Sequence, residues 1–316
     1  MKILLHSPVS TVRRNGNRQT SSEWEKILID AGHEVRSIGH YEGESADLLV
    51  ALHAAKSREA VLGYRETNPT GKVILALTGT DIYPEPSEEA RDTMARSDVL
   101  ITLQRKAVEQ IPVELQDRAV PVIQAAECLA PKPDLSNHPF SACVVGHLRN
   151  VKDPLLAAKA SRLLPKDSAM QIHHAGGILE EHYARLVAKE EKENPRYVWL
   201  GELSEYDIAK LIAGSRLLIL TSLSEGGARV VGEAIAHGTP VLSTRIDGVM
   251  GLLGEDYPGF FPVGDADALA RLMTHCEFDP EFYEHLRSGA LRHADQFHPE
   301  REKASLLAAV DLAMQD

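Results

Sequence analysis

Apolar residues along the chain fall into short runs, each separated from the next by a longer stretch whose apolar positions recur three and four residues apart. Such runs predict strands, and the stretches between them predict helices. The first run is 2–5, ended by Ser7 and Pro8 and followed by a polar loop through Gly16 and Asn17. Next, 20–31 carries Trp24, Ile27 and Leu28 at helical spacing, with Gly32 where a C-terminal cap belongs. The alternation repeats at 47–52, 73–77, 98–103 and 120–123. A turn-rich stretch then follows, 130–139, with Pro131, Pro133 and Pro139 and no apolar period, which predicts an interdomain linker. Beyond it strands are predicted at 142–145, 170–173, 198–200, 217–221 and 241–243. A final helix over about 300–314 carries Leu306, Leu307, Val310 and Leu312.

Strand and helix alternating in two series predict an α/β protein of two doubly wound, Rossmann-like domains, 1–135 and 136–296. The last helix, about 297–316, is expected to pack back on the first domain. A chain of 316 residues exceeds one ordinary core and suits two. Sheets of this kind bind ligands beyond the carboxyl ends of their strands, so two facing domains would place function in one cleft.

Composition narrows the classes. A formal charge of -12 argues against a general nucleic-acid binder and requires any anion site to be focal. The apolar run after Met1 is too short for a signal peptide, and no stretch has the length a bilayer requires, so a cytoplasmic protein without membrane partners is expected. Cys128, Cys143 and Cys276 are far apart with no paired spacing, which suits structural thiols in a reducing compartment and no metal site.

The segment from Thr221 to Pro240 is richest in chemistry. A strand ends near Thr221, a loop with Gly226 and Gly227 follows, and a helix is expected over 228–237, stopped by Gly238 and Pro240. Free N–H groups at that helix start suit a sugar or phosphate oxygen, and the glycines allow close approach. Glu225 and Glu233 stand before and within the helix, and each carboxylate can accept hydrogen bonds from two neighbouring hydroxyls of a sugar ring. An ordinary strand-loop-helix joint with exposed glutamates is the bland reading, outweighed by the flanking glycines. A second segment, from Val145 to Pro154, puts Arg149 and Lys152 on a loop between strand and helix. Two fixed cations there can offset charge on a departing diphosphate without a metal ion or other cofactor. A solvated basic turn is the other reading.

In this segment the chain resembles family 4 of the glycosyltransferases, which are GT-B proteins whose two glutamates stand in this setting. The resemblance implies that Glu225 contacts the transferred sugar, Glu233 the ribose of the nucleotide, and the backbone of Gly226, Gly227, Ala228, Arg229 and Val230 the diphosphate and sugar. Lys152 matches the family's lysine. The family usually has an arginine where this chain has His147, which leaves Arg149 either replacing that arginine or serving an acceptor.

The first domain adds Gly16, Asn17 and Arg18 before a helix, an anion site or simply an N-cap with a surface arginine. His53 and Lys56 follow the strand ending at Leu52, and Thr80 lies in the 78–83 segment after another strand, where Asp81 could be a plain turn residue. A lone histidine is more often structural than catalytic, although a position at the carboxyl edge of a sheet raises its standing. Taken with 145–154, the segments 16–20, 49–57 and 77–83 look like the selenosugar synthases of selenoneine biosynthesis, a branch of the same family. That likeness implies transfer of a sugar from UDP-GlcNAc or UDP-glucose to the selenium of selenophosphate. His53 would orient the sugar, while Arg18, Lys56 and their neighbours would hold the acceptor. Competing readings are a glycosyltransferase with a thiol, lipid or saccharide acceptor and a non-catalytic two-lobed nucleotide-sugar binder. The first strand-loop-helix lacks a Gly-x-Gly-x-x-Gly run, which disfavours a dinucleotide-dependent dehydrogenase.

Overall fold

The computed structural model describes residues 1–8, 16–136 and 138–315. The chain divides into two compact units, one of 1–124, 225–227 and 299–316, the other of 125–224 and 228–298. The division between Gln124 and Ala125 lies ahead of the turn-rich 130–139 stretch.

The first unit begins with β1 (Lys2–His6), α1 (Gly16–Asp30), β2 (Glu34–Ile38), β3 (Leu48–Leu52), α2 (Arg58–Thr67), β4 (Lys72–Leu77), α3 (Glu88–Ala95), β5 (Val99–Thr102) and β6 (Ala119–Pro121). All strand pairs are parallel, in the order β2-β1-β3-β4-β5-β6. β3 is buried at every position, as a strand covered on both faces must be. One face of the sheet packs on Trp24 and Leu28 of α1, the other on Val61 and Tyr64 of α2 and Met94 of α3.

The second unit contains β7 (Ser141–Val145), α4 (Leu156–Ser161), β8 (Gln171–Ala175), α5 (His182–Glu193), β9 (Tyr197–Gly201), α6 (Glu205–Ala213), β10 (Leu217–Leu220), α7 (Arg229–Ala236), β11 (Val241–Thr244), α8 (Asp247–Leu253), β12 (Phe260–Phe261), α9 (Ala266–Phe278) and α10 (Pro280–Leu291). Its sheet is parallel too, ordered β12-β11-β10-β7-β8-β9. The last helix, α11 (Pro299–Met314), belongs to the first unit. Leu306, Ala309, Val310 and Ala313 enter the same core as Trp24, whose indole N–H donates to the buried Glu302 at 2.8 Å.

Several elements depart from the sequence pattern. α1 starts at Gly16, not near Thr20, so 16–19 form its first turn. β2 and β12 had no apolar run to announce them: β2 is an edge strand with no fully buried residue, and β12 has two residues. The buried stripe of α11 uses alanines where the larger residues pointed elsewhere, since Leu312 is 40% exposed. Among the described residues, no helix is long and apolar enough to cross a membrane.

Candidate functional site

Strand order in the second unit reverses at β7. The chain proceeds from it through β8 to β9 on one side, then returns to build β10, β11 and β12 on the other. The carboxyl ends of β7 and β10 therefore flank the topological switch point, where helices leave the sheet on opposite faces and open a crevice. The loop after β7 carries Gly146, His147 and Arg149, a 3-10 turn over Asn150–Lys152, and Asp153 with φ 39°. The loop after β10 leads through Glu225, Gly226 and Gly227 into α7.

Two hydrogen bonds stitch these loops together. Thr221 Oγ1 donates to the Lys152 carbonyl at 2.8 Å, and the Leu223 N–H donates to the Val151 carbonyl at 2.8 Å. A third loop, after β8, supports the first. Leu148 N–H donates to the Gly177 carbonyl at 2.9 Å, Gly177 N–H donates to His147 Nδ1 at 3.1 Å, and Asn150 N–H donates to Glu180 Oε1 at 3.0 Å. His147 thus spends one ring nitrogen as an acceptor within the fold. Arg149 and Lys152 are both half-buried, and the Arg149 Nε–H is buried with no acceptor among the described residues. A buried donor without a partner costs on the order of 1–3 kcal/mol, which an anionic oxygen would recover.

α7 begins at Arg229 with the buried Ala228 as its N-cap, a residue whose side chain makes no cap hydrogen bond. Val230 is half-buried. Arg229 Nε lies 3.3 Å from Glu233 Oε1, one turn on, with the two side chains 20% and 26% exposed. That ion pair was not read from the sequence, although the four-residue spacing carried it. At the other end, Lys132 Nζ donates to the Gly238 carbonyl at 2.9 Å and to Thr239 Oγ1 at 3.1 Å, and His237 Nδ1 donates to the Glu233 carbonyl at 2.7 Å. A cation over the last carbonyls offsets the negative end of a helix. Of the remaining residues of this segment, Gly226 is buried and Glu225 and Gly227 are half-buried, and all three group with the first unit.

In the first unit the order reverses between β1 and β3. His53 follows β3 with φ 75°, a strained value for a residue with a side chain. It is held by what surrounds it: its ring Nε2 lies 3.1 Å from Thr80 Oγ1, and its N–H donates to the Ala76 carbonyl at 2.8 Å. Burial lowers the His53 pKa, partly opposed by the Asp81 carboxylate 3.9 Å away, so the ring is neutral near pH 7. Asp81 proves to be the organiser of this corner. Its carboxylate accepts from the Ala54 N–H at 2.9 Å, the Thr78 N–H at 3.0 Å and the Gly79 N–H at 2.7 Å. Thr80 and Lys56 are exposed beside it. Gly16, Asn17 and Arg18 lie on the first turn of α1, with Gly16 and Arg18 exposed. Among the described residues, no group of three or more His, Cys, Asp or Glu side chains could hold a metal ion.

Comparison with known proteins accords with this architecture. Residues 129–293, more than half of the chain, match the model of the family described as glycosyl transferases group 1. Glycosyltransferase 1 domain-containing protein 1 of Xenopus tropicalis is 26% identical over 167 residues, which cover 52% of this chain and 47% of that protein. The chain thus spans just under half the length of that relative. HepE of Anabaena, crystallised with UDP and glucose, superposes with a TM-score of 0.76 at 17% identity, covering 98% of this chain and 99% of that one. Sucrose-phosphate synthase of Thermosynechococcus elongatus gives a TM-score of 0.76 at 16% identity, covering 98% of each chain. These likenesses establish the GT-B fold, and the family match extends from the linker through both loops at the switch point. The chain belongs to the glycosyl transferases group 1 family.

Proposed function

We propose that this glycosyltransferase moves a hexosyl group from a UDP-sugar to selenophosphate without a metal ion, releasing UDP and, after water cleaves the Se–P bond, phosphate. The observation that carries the donor half is the stitching of the Lys152 loop to the Thr221 loop, which brings the cationic segment and the start of α7 to one switch point. In this reading Glu233 accepts hydrogen bonds from the ribose hydroxyls and Glu225 from the transferred sugar. The α7 N–H groups and the backbone from Gly226 to Val230 hold the diphosphate. HepE has been crystallised with UDP, with UDP and glucose and with UDP-glucose, which supports the choice of nucleotide.

Selenium attacks the anomeric carbon, and the electron pair of the breaking C–O bond passes to UDP. Lys152 and the unpartnered Arg149 N–H offset that charge, and such preorganised electrostatic stabilisation is commonly the largest contribution to catalysis. The selenium nucleophile is already ionised, so no strong base is required. Neutral His53, braced by Thr80, orients the sugar, and Lys56 with Arg18, Gly16 and Asn17 serves the acceptor phosphoryl group. The acceptor half rests on the resemblance of the 16–20, 49–57, 77–83 and 145–154 segments to selenosugar synthases.

The test is incubation of the purified protein with UDP-GlcNAc, UDP-glucose and other UDP-sugars, each with selenophosphate, a thiol or a saccharide, followed by mass spectrometry of the products. A seleno-glycoside accompanied by UDP and phosphate is expected. UDP release with thiols or saccharides alone would remove the selenium assignment, and donor binding without any product would favour a non-catalytic binder.

A further inference from the structure

The catalytic reading leaves the buried side chain of His174 unused. His174 lies in β8, wholly inaccessible to solvent, yet both of its ring nitrogens are engaged. Nε2 is 3.0 Å from the Gly146 carbonyl and Nδ1 is 2.9 Å from the Tyr197 hydroxyl. A carbonyl oxygen can only accept, so Nε2 carries the proton and donates. Nδ1 is therefore bare and must accept from the Tyr197 O–H. Burial pushes the His174 pKa down to about 4, so the ring is neutral near pH 7 and has this one tautomer. The chain Tyr197 to His174 to Gly146 is directional, with each donor fixed by the next acceptor.

What the chain orients is the root of the cationic loop. Gly146 is the first residue after β7, and its N–H donates to the Ala175 carbonyl at 2.9 Å. Its two backbone polar groups are thus both held by β8. Gly176 presses on it so closely that a Cβ there would lie 1.9 Å from the Gly146 oxygen. The Lys152 side chain also runs past Gly146, with Cδ 3.7 Å from where a Gly146 Cβ would stand. The Lys152 alkyl chain therefore lies against the residue whose carbonyl and N–H are both held by β8.

We infer that His174, locked by Tyr197, is a positioning residue that aims Lys152 at the departing diphosphate through the Gly146 peptide. It touches no reacting atom. The role rests on the reading of Lys152 given above, and it predicts a loss seen in the chemical step more than in donor capture.

The experiment compares His174→Asn, His174→Gln and Tyr197→Phe in the wild-type and Lys152→Ala backgrounds, by kcat and donor KM with the best UDP-sugar and by nitrogen-15 NMR of the histidine ring. A glutamine amide can reach the Gly146 carbonyl as Nε2 does, whereas an asparagine amide falls short. His174→Asn is expected to lower kcat tenfold or more with donor KM changed less than threefold, and His174→Gln to restore most of the loss. In the Lys152→Ala background His174→Asn should cost nothing further. NMR should show Nε2 protonated and Nδ1 bare in the wild type; Tyr197→Phe, which keeps every carbon, should keep that tautomer because the Gly146 carbonyl still accepts, but should shift the Nδ1 resonance through loss of its hydrogen bond and lower kcat. Equal losses in both backgrounds, a rise in KM with kcat intact, or a Tyr197→Phe protein with unchanged Nδ1 resonance and turnover would each overturn the role. Failure of the proposed function would instead appear as a wild type without turnover.

Discussion

Asp81 illustrates how much a single side chain can organise. With no exposed side-chain surface, its carboxylate satisfies three backbone N–H groups, from Ala54, Thr78 and Gly79, and so ties the loop after β3 to the loop after β4. Replacing it with alanine would leave those donors buried and unpaired, at about 1–3 kcal/mol for each that water cannot reach. Asp81→Ala should therefore lower stability by roughly 2–4 kcal/mol in urea denaturation and weaken the hold on His53, while Asp81→Asn, with one carbonyl acceptor left, should lose less. His174 gives the second prediction at this scale. Because its pKa in the folded protein, about 4, lies below the ordinary value of 6.5, the unfolded chain takes up a proton that the folded chain refuses between those limits. Its contribution is complete above about pH 6.5, declines as the pH falls, and is exhausted below about pH 4, a span worth on the order of 3 kcal/mol. Denaturation of wild type and His174→Gln at pH 7 and pH 4.5 should show the acid loss reduced in the variant, while the contributions of His6, His53 and His173, all lowered by burial, persist in both. From sequence, the position of His53 at the carboxyl end of a strand was legible because it follows an apolar run. His174 was not, because a histidine inside a strand says nothing of which carbonyl its ring will meet.

At the scale of elements, α7 carries a local conflict of charge. Arg229 sits at its first residue, where the helix dipole disfavours positive charge, and Glu233 one turn later compensates through an ion pair at 3.3 Å. A partly exposed pair of this kind contributes only a few tenths of a kcal/mol to stability. If Glu233 also accepts from the ribose hydroxyls, its removal should be felt in binding far more than in folding. Glu233→Gln is expected to shift the urea midpoint very little and to raise donor KM by about 10-fold or more, in line with the 1.5–3 kcal/mol of hydrogen bonds to a charged group. Equal KM values would sever Glu233 from the donor. Strands buried on both faces were easy to read, since 48–52 and 73–77 are apolar throughout. β2 was hidden because its exposed side chains belong to the edge of the sheet, and α1 began early because its first turn is polar and carries no apolar period.

For the molecule as a whole, the path of the chain matters more than the inventory of its parts. α11 is last in sequence, yet it closes the core of the first unit through Leu306, Ala309, Val310 and Ala313, and Glu302 gives Trp24 its hydrogen bond. The returning helix could be anticipated from its position and apolar content, but its buried face could not, because two of the four core residues are alanines that a hydrophobicity pattern underweights. The first unit is thus assembled from both ends of the chain, and its stability must depend on the terminus. The two tryptophans offer a way to test this, since Trp24 lies in the first unit and Trp199 in the second, where its indole N–H donates to the Gly176 carbonyl at 2.9 Å. A chain ending at residue 298, made in the Trp199→Phe background, should show Trp24 emission shifted to the red and readily quenched by iodide. The same truncation in a Trp24→Phe background should leave Trp199 emission as in the full chain. Removing α11 uncovers Trp24 and the strands β4, β5 and β6 at once, a loss well beyond the 3–5 kcal/mol of a single large core truncation and comparable with the whole stability of a domain. A Trp24 signal unchanged by the truncation would mean that the first unit's core stands without its C-terminal helix.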